Sequence, residues 1–293
     1  SLFCRAIDWI LDRCQGDLGT NVGSTTFTDL DYADDGALFI DNPSLWPIKL
    51  QMFEDEAATM GMHVSWAKTK IQNTGSGSPP TPIHVAGNAV DAVEKFTYLG
   101  SDIHSDGYSS HDVLRRIGMA SSTMGQLDRV WRNKRLALRT KIRIYSTCIL
   151  PIALYGSETW TLLAEDRRRL QAFHMRCQRR ILGVRWFDFV TNEAVTQRTR
   201  LEDVNHTIAM RRHSLFGHVR RLPNNTPAHA ALKLAVDVSP GDKPAPDWSR
   251  PRGRPRNTWV RQLEADHDLS APELWQSSTD RMVWAAQRPG AGS

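Results

Sequence analysis

Over roughly the first hundred residues, apolar and polar side chains alternate along short stretches, a pattern typical of β-strands and hairpins. Residues 25–41 predict a hairpin whose apolar flanks suit short strands of a largely buried sheet. Residues 83–93 alternate around Gly87-Asn88 and predict a second hairpin. Residues 62–71 predict an extended segment. We therefore expect small sheets in this part of the chain.

Two helices are predicted in the same region. Residues 2–14 place their apolar side chains at helical spacing and are typical of the end of a helix. Residues 44–60 predict another helix, with Ser44 at its N-cap and Gly61 as its stop. Residues 73–82, NTGSGSPPTP, predict a flexible connector.

From Ser110 onward the apolar period changes from two to about three and a half, which indicates helices. The first carries one stripe, formed by Val113, Ile117, Ala120, Met124, Leu127 and Trp131. A capping pattern from Ser109 to Asp112 opens it. The second helix is closed by Pro151, and its apolar face carries Leu138, Ile142, Tyr145 and Ile149. The third helix, residues 165–183, carries Leu170, Phe173, Cys177 and Ile181 on one face. Hairpins followed by helices predict an α+β fold.

Charged residues are distributed unevenly between the predicted hairpin region and the predicted helical region. Residues 1–80 carry 5 basic and 11 acidic side chains, whereas residues 115–221 carry 22 basic and 8 acidic ones. A single-sign surplus of this size favours a polyanionic partner, of which nucleic acid is the leading candidate. On the third helix, Arg168, Arg176 and Arg179 are the predicted phosphate contacts. The alternative is an ordinary solvated polar face.

Composition restricts the cellular setting. The four cysteines show no paired spacing, which favours reduced thiols. No apolar run approaches the roughly 20 residues of a membrane span, and no signal peptide is visible. We expect a nuclear or cytoplasmic protein that is not secreted. Because the first residue is Ser and not Met, we also expect a piece of a longer protein.

The predicted hairpin of residues 25–41 places two adjacent carboxylates, Asp34 and Asp35, at its tip. Neighbouring negative charges repel, and turns have easier residues available, such as Asn-Gly. One interpretation is a solvated acidic turn. The other is a cation site, because divalent metals bind carboxylate oxygens and a rigid hairpin holds such ligands still.

The order of motifs resembles the reverse transcriptase of non-LTR (LINE-type) retrotransposons over nearly the whole chain. Tyr32-Ala33-Asp34-Asp35 resembles the aromatic-Ala-Asp-Asp signature of the polymerase palm. The stretch from Gly61 to Lys70 is similar to the next palm motif, and Phe96 to Ser101 to the Tyr-Leu-Gly primer-grip hairpin. The region after the thumb is matched by residues 154–160, 179–183 and 217–219, and the family's C-terminal tail by Gly253-Arg254-Pro255 followed by Trp259.

The resemblance implies a chemistry for the carboxylates. Asp34 would be the firmer ligand of Mg²⁺ or Mn²⁺ and Asp35 the supporting one, in two-metal phosphoryl transfer to a primer 3′-hydroxyl. Tyr32 would back the hairpin against the substrate, and Lys68 would lie near the phosphates, unless it is a surface lysine. Tyr98, Leu99 and Gly100 would form the primer grip. The implied partners are an RNA template, a DNA primer or target and deoxynucleoside triphosphates, with no membrane.

The sequence also departs from the family. In the family, an earlier palm strand supplies a further metal-binding Asp, and a Gly-rich turn contacts the template. This sequence contains neither segment ahead of the helix predicted from residue 2. Asp8 and Asp12 resemble surface acids of a helix and are not assigned to this role. We therefore expect the fragment to be inactive alone as an RNA-directed DNA polymerase. Two alternatives are a non-catalytic RNA- or DNA-binding module derived from a retroelement, and a degenerate remnant.

These patterns predict four regions: a partial palm (1–108), thumb-like helices (109–150), a basic helical region (151–238) and a Pro-rich basic linker with a helical tail (239–293). In the linker, Arg252 and Arg254 resemble the Arg-Gly-Arg-Pro core of AT-hook peptides. They are predicted DNA contacts, and the alternative is a nonspecific basic linker.

The helical part also contains candidate ligands for a structural zinc site. The candidate ligands are His174, Cys177, His213 and His218. No Cys-x2-Cys pair anchors them, so ordinary packing and surface roles are the favoured interpretation.

Overall fold

The computed structural model describes residues 2–14, 16, 19–22, 25–74, 80–241, 243 and 257–290. These residues form two compact units, one within residues 1–107 and the other within residues 108–240 and the C-terminal segment 257–290. The first unit combines helices with small sheets, whereas the secondary-structure elements described in the second unit are all helices. The predicted α+β class is therefore confirmed. Of the helices described, none has both the length and the apolar composition that spanning a membrane requires.

Among its described residues, the first unit contains two α-helices and nine short strands. The helices are α1 (Leu2–Cys14) and α2 (Trp46–Thr59). The strands are β1 (Thr20–Val22), β2 (Thr25–Phe27), β3 (Asp29–Tyr32), β4 (Asp35–Leu38), β5 (Lys70–Ile71), β6 (Ile83–Val85), β7 (Asn88–Ala92), β8 (Lys95–Tyr98) and β9 (Ser101–His104). The pairs β1–β2, β3–β4, β6–β7 and β8–β9 are antiparallel, and β5 pairs in parallel with β7.

The start of α2 differs from the prediction. Asn42 caps the segment instead of Ser44, because the Asn42 side chain accepts a hydrogen bond from the Ser44 backbone N–H at 3.1 Å. A short 3₁₀ turn, Pro43–Leu45, then leads into α2. Gly61 follows the helix in the left-handed conformation, with φ of +71°, so the predicted stop is confirmed.

The predicted extended segment 62–71 is largely wrong. Only Lys70–Ile71 forms a strand. Before it, the Ser65 carbonyl accepts hydrogen bonds from the backbone N–H groups of Lys68 and Thr69, each at 2.9 Å, which closes a turn. The hairpin over residues 83–93 is confirmed, but its turn residues are Ala86 and Gly87, one position earlier than predicted.

The second unit contains eleven α-helices among its described residues: α3 (Ser110–Gln126), α4 (Asp128–Arg132), α5 (Leu138–Ile144), α6 (Leu150–Ala153), α7 (Ala164–Leu182), α8 (Asn192–Thr199), α9 (Val204–Arg220), α10 (Pro227–Val238), α11 (Trp259–His267), α12 (Ala271–Ser277) and α13 (Arg281–Ala286). Their apolar faces form two clusters. The larger gathers α3 to α7 and the start of α9. The smaller gathers the end of α9 with α10 to α13.

The apolar stripe predicted from Ser110 is confirmed, since Val113, Ala120, Met124 and Trp131 are all buried. The helix is nevertheless interrupted at Leu127, between α3 and α4. The predicted capping pattern does not form. Instead, the Ser109 hydroxyl accepts a hydrogen bond from the Thr161 N–H at 3.0 Å, and the buried Asp112 carboxylate accepts one from the Trp160 indole, also at 3.0 Å.

Pro151 does not close the second predicted helix. Between α5 and α6 the backbone forms a π-turn, Tyr145–Ile149, in which the Leu150 N–H bonds to the Tyr145 carbonyl. This wider turn accommodates the proline ring, which would clash with an ordinary α-helical carbonyl. The helical path therefore continues to Ala153.

The third predicted helix corresponds to α7, and its predicted apolar face is confirmed. Leu170, Phe173, Cys177 and Ile181 are each less than 5% exposed. One face of α7 therefore belongs to the core of the second unit, and the arginines of the predicted phosphate-contacting surface lie on the remaining faces. The division of this helical part into thumb, basic region and tail stays a prediction.

Candidate functional site

The two adjacent carboxylates lie at the tip of the hairpin formed by β3 and β4, as predicted. Tyr32 pairs directly with Asp35, so Ala33 and Asp34 form a two-residue turn. Ala33 adopts the left-handed conformation, with φ of +58°. This conformation costs a residue with a side chain about 1–2 kcal/mol relative to glycine. The tight turn holds Asp34 and Asp35 next to each other.

The strands of this hairpin are much more exposed than predicted. The sequence predicts a largely buried sheet, but Leu30 is 46% and Tyr32 is 67% exposed. The reason is that β3 and β4 form a sheet of only two strands among the described residues. Neither face of the hairpin tip is covered there, so Asp34 and Asp35 are exposed.

The exposed carboxylates are chemically suited to a divalent cation, because carboxylate oxygens are the ligands that Mg²⁺ and Mn²⁺ take in proteins. Neither Asp34 nor Asp35 forms an ion pair with another described residue. The described residues also place no third histidine, cysteine or carboxylate ligand together with these two. The arrangement can supply two ligands, with the remaining positions left to water, substrate or further protein groups.

The hairpin formed by β8 and β9 brings the predicted primer-grip residues to the acidic hairpin. The Tyr98 hydroxyl donates a hydrogen bond to the Leu30 carbonyl on β3 at 3.2 Å. Burial, followed by the negative charges of Asp35 and Asp31, raises the pKa of the Tyr98 phenol. The structure thus joins two motifs that the sequence identifies separately. Leu99 and Gly100 form the turn of this hairpin, with φ of +47° and +79°.

Lys68, the remaining predicted catalytic residue, lies in the turn before β5. Its side chain is exposed and forms no ion pair with either hairpin carboxylate among the described residues. The turn is held by Glu54, whose carboxylate accepts a hydrogen bond from the Val64 N–H at 2.7 Å. The structure therefore does not bring Lys68 into contact with Asp34 or Asp35.

The predicted phosphate-contacting arginines of α7 differ in their surroundings. Arg168 is 76% exposed and pairs with Glu165, and Arg176 is exposed. Arg179 instead donates hydrogen bonds to the Val190 carbonyl at 2.9 Å and to the Asn192 side chain at 2.8 Å. Arg168 and Arg176 are accessible to a phosphate backbone, whereas Arg179 has a structural role at the end of α7. Arg252 and Arg254 lie outside the described residues.

The histidines and the cysteine weighed for zinc do not meet at one point among the described residues. His174 is buried, bonded to the Tyr145 hydroxyl at 2.8 Å and the Glu202 carbonyl at 3.0 Å. Burial lowers its pKa. Burial raises the pKa of the Cys177 thiol to about 12, which opposes the thiolate that a metal needs. His213 stacks on the Trp284 ring at 4.1 Å.

One group of candidate residues was not identified from the sequence. Trp186, Phe187 and Phe189 follow the end of α7 and are strongly exposed. The available signal was an aromatic cluster between the helix-ending Gly183 and the Thr191 cap of α8. Aromatic residues are more often part of a core, so the pattern alone did not indicate a surface.

Comparison with known proteins gives one informative similarity. The chain is 22% identical over 285 residues to a putative uncharacterized transposon-derived protein of Caenorhabditis elegans, covering 90% of this chain and 96% of that protein. This similarity supports a transposon origin. No family model matches the chain. No solved structure matches it either.

Proposed function

We propose that the chain carries part of the palm and the following region of a non-LTR retrotransposon reverse transcriptase, an RNA-directed DNA polymerase. The contact of Tyr98 with the backbone of the Asp34-Asp35 hairpin carries this proposal. A primer-gripping hairpin has to lie next to the catalytic carboxylates, because the primer 3′-hydroxyl reacts there. The transposon-derived relative supports the transposon origin that this proposal includes.

In this proposal Asp34 and Asp35 hold Mg²⁺ or Mn²⁺. The metal, when bound, would lower the pKa of the primer hydroxyl and neutralise the triphosphate. The tight turn at Ala33 fixes the backbone that carries the two carboxylates, which reduces the reorganisation needed on binding. The hydrogen bond from the Tyr98 hydroxyl to the Leu30 carbonyl helps to hold β3 in position. Lys68 is retained as an electrostatic partner of the phosphates that would act only once substrate is bound.

The nucleic-acid partners in this proposal are an RNA template and a DNA primer or target, with deoxynucleoside triphosphates as substrates. Arg168 and Arg176 on α7 are exposed cations that would contact phosphates. Such contacts are insensitive to base sequence and weaken steeply with salt. Arg168→Glu with Arg176→Glu should therefore weaken RNA binding and reduce the slope of log K against log salt by about one per lost contact.

Metal binding at the hairpin can be tested on the chain as it is. Mn²⁺ titrated into labelled protein should broaden the NMR amide signals of residues 31–36 before others, because paramagnetic broadening falls steeply with distance. Asp34→Asn should remove most of this effect. Asp8→Asn, on α1, serves as the matched control and should leave it intact. Equal broadening in the Asp34→Asn protein would contradict the metal site.

Polymerase activity needs a further experiment. The chain would be joined to an upstream palm segment that supplies the additional metal-binding Asp, and Mg²⁺-dependent primer extension would be measured. Asp34→Asn should abolish extension while the circular dichroism spectrum stays unchanged. Full extension by this variant would refute the assignment of the hairpin as catalytic.

A second candidate function is a nucleic-acid-binding module without catalysis. The exposed Arg168 and Arg176 on the basic helical unit favour it. Salt-dependent RNA binding together with no selective Mn²⁺ broadening at the hairpin would favour this alternative over the polymerase.

A further inference from the structure

The segment between α7 and α8, residues 185–189, presents three aromatic rings at the surface of the second unit. Trp186 is 86% exposed, Phe187 48% and Phe189 87%. By contrast, Trp131, Trp160 and Trp284 of the same unit are each at most 3% exposed. An exposed apolar ring forgoes the stabilisation that burial would give the folded state. Patches of such rings commonly mark binding surfaces.

The backbone that carries these rings is fixed at both ends. After Gly183, the Val184 N–H bonds to the Arg179 carbonyl at 2.9 Å, which completes the helix end. The Asp188 carboxylate accepts a hydrogen bond from the Arg185 N–H at 2.7 Å. At the far end, the Arg179 side chain holds the Val190 carbonyl. The backbone that carries the rings is therefore held in place, which reduces the entropy lost on binding a ligand.

The conformation of Phe189 adds an independent observation. Phe189 has φ of +49°, in the left-handed region that glycine and asparagine tolerate better than a bulky residue. Its ring is almost fully exposed, so packing does not compensate for this cost. Neither the backbone nor the core requires an aromatic side chain here, and strained residues of this kind concentrate at functional sites.

The charged residues that flank residues 185–189 in the sequence indicate the class of ligand. Between positions 176 and 200 the sequence has two acidic residues and six arginines, namely Arg176, Arg179, Arg180, Arg185, Arg198 and Arg200. Arg180 pairs with Asp128 at 2.6 Å, so five of these arginines remain against the two acids. The Arg185 guanidinium lies 5.7 Å from the Phe187 ring centre. Exposed π-faces beside positive charge fit a chain of unpaired bases and phosphates.

We propose that residues 185–189 form a stacking platform for single-stranded nucleic acid, with bases on Trp186 and Phe189 and phosphates near Arg176 and Arg185. A duplex fits less well because its base faces are already stacked. The proposal shares with the proposed function only the class of partner. It requires neither the metal site nor polymerase activity, so each can fail without the other.

The test measures binding of the full chain to fluorescein-labelled dT15 by anisotropy, without divalent metal and at several salt concentrations. Trp186→Ala and Phe189→Ala should each weaken binding by about 5- to 150-fold, the range found for loss of one stacked base. The salt slope should not change, since no phosphate contact is removed. Trp186→Phe should retain most of the affinity.

Met282→Ala is the matched control, because Met282 is an apolar residue of the same unit that is 79% exposed. It should bind dT15 as the unchanged protein does, and circular dichroism should show all variants folded. Absence of dT15 binding, or unchanged binding in the double variant Trp186→Ala/Phe189→Ala, would overturn the proposal. So would an equal loss of affinity for dT15 and for a blunt duplex. Loss of self-association in ultracentrifugation with dT15 binding intact would instead identify a protein-docking surface.

Discussion

Replacing Asp266 by leucine should be one of the most destabilising single changes in the second unit. Asp266 pairs with Arg212, whose side chain is 1% exposed, and is itself 9% exposed. Burial lowers the Arg212 pKa, and the charge of Asp266 opposes that effect. Asp266→Leu leaves a buried guanidinium without its counter-charge. Losses of this kind cost about 3–5 kcal/mol of unfolding free energy.

The size of the loss depends on what else holds Arg212. The Gln262 side-chain oxygen also accepts a hydrogen bond from Arg212, at 2.9 Å, but it is neutral and cannot replace the carboxylate charge. The double variant Arg212→Met/Asp266→Leu removes both charges and should recover to within about 1 kcal/mol of the unchanged protein. The coupling between the two positions would then be several kcal/mol.

Urea unfolding followed by circular dichroism measures these differences. The matched control is Asp237→Leu, which breaks the exposed pair with Lys233, both side chains being about 45% exposed. This variant should lose less than about 1 kcal/mol. If Asp266→Leu also costs less than about 1 kcal/mol, or if the double variant loses the sum of the single changes, the reasoning about this buried pair is refuted.

Gly217→Ala should lower the unfolding free energy by about 1–3 kcal/mol, because the added methyl would lie 2.3 Å from a buried indole nitrogen. Gly118 has open space around it, so Gly118→Ala should raise the unfolding free energy by up to about 1 kcal/mol in the same urea assay. Burial lowers the pKa of His213 to about 4, so the unfolded chain binds the extra proton first. Unfolding free energy should then fall as the pH drops from about 6.5 toward 4, and His213→Gln should flatten that decline; an unchanged pH profile would contradict it. The exposed Cys148 should react with a thiol reagent at pH 8, whereas the buried Cys177 should react only after denaturation. Mass spectrometry measures the labelling of each cysteine. Rapid labelling of both would contradict the burial of Cys177 in the core of the second unit.

The helices of this protein could be predicted well from apolar periodicity, but several of their ends could not. The stripe from Val113 to Trp131 is buried as the sequence indicates, because burial decides which face of a helix turns inward. The capping pattern predicted from Ser109 and Asp112 does not form, because both side chains accept hydrogen bonds from the segment before α7. The donors are the Thr161 N–H and the Trp160 indole. Such competition between partners distant in sequence leaves no local signal.

The candidate site shows the same limit. The carboxylate pair Asp34-Asp35 and its turn could be read from neighbouring residues. The hydrogen bond from Tyr98 to Leu30 could not, because the two residues are 68 positions apart. The aromatic residues at 186 and 189 were equally hidden, since the sequence does not reveal whether a ring faces a core or solvent.

The buried side chain of Gln262 makes completion of the second unit depend on a residue that is synthesised long after Leu162. Its amide donates a hydrogen bond to the Leu162 carbonyl at 2.9 Å and accepts one from the Leu162 N–H at 3.2 Å, across 100 positions. During synthesis, Leu162 leaves the ribosome roughly 5–20 s before its partner at elongation rates of about 5–20 residues per second. Through that interval the Leu162 backbone N–H and carbonyl lack this partner, so the buried hydrogen bonds of the second unit cannot be completed.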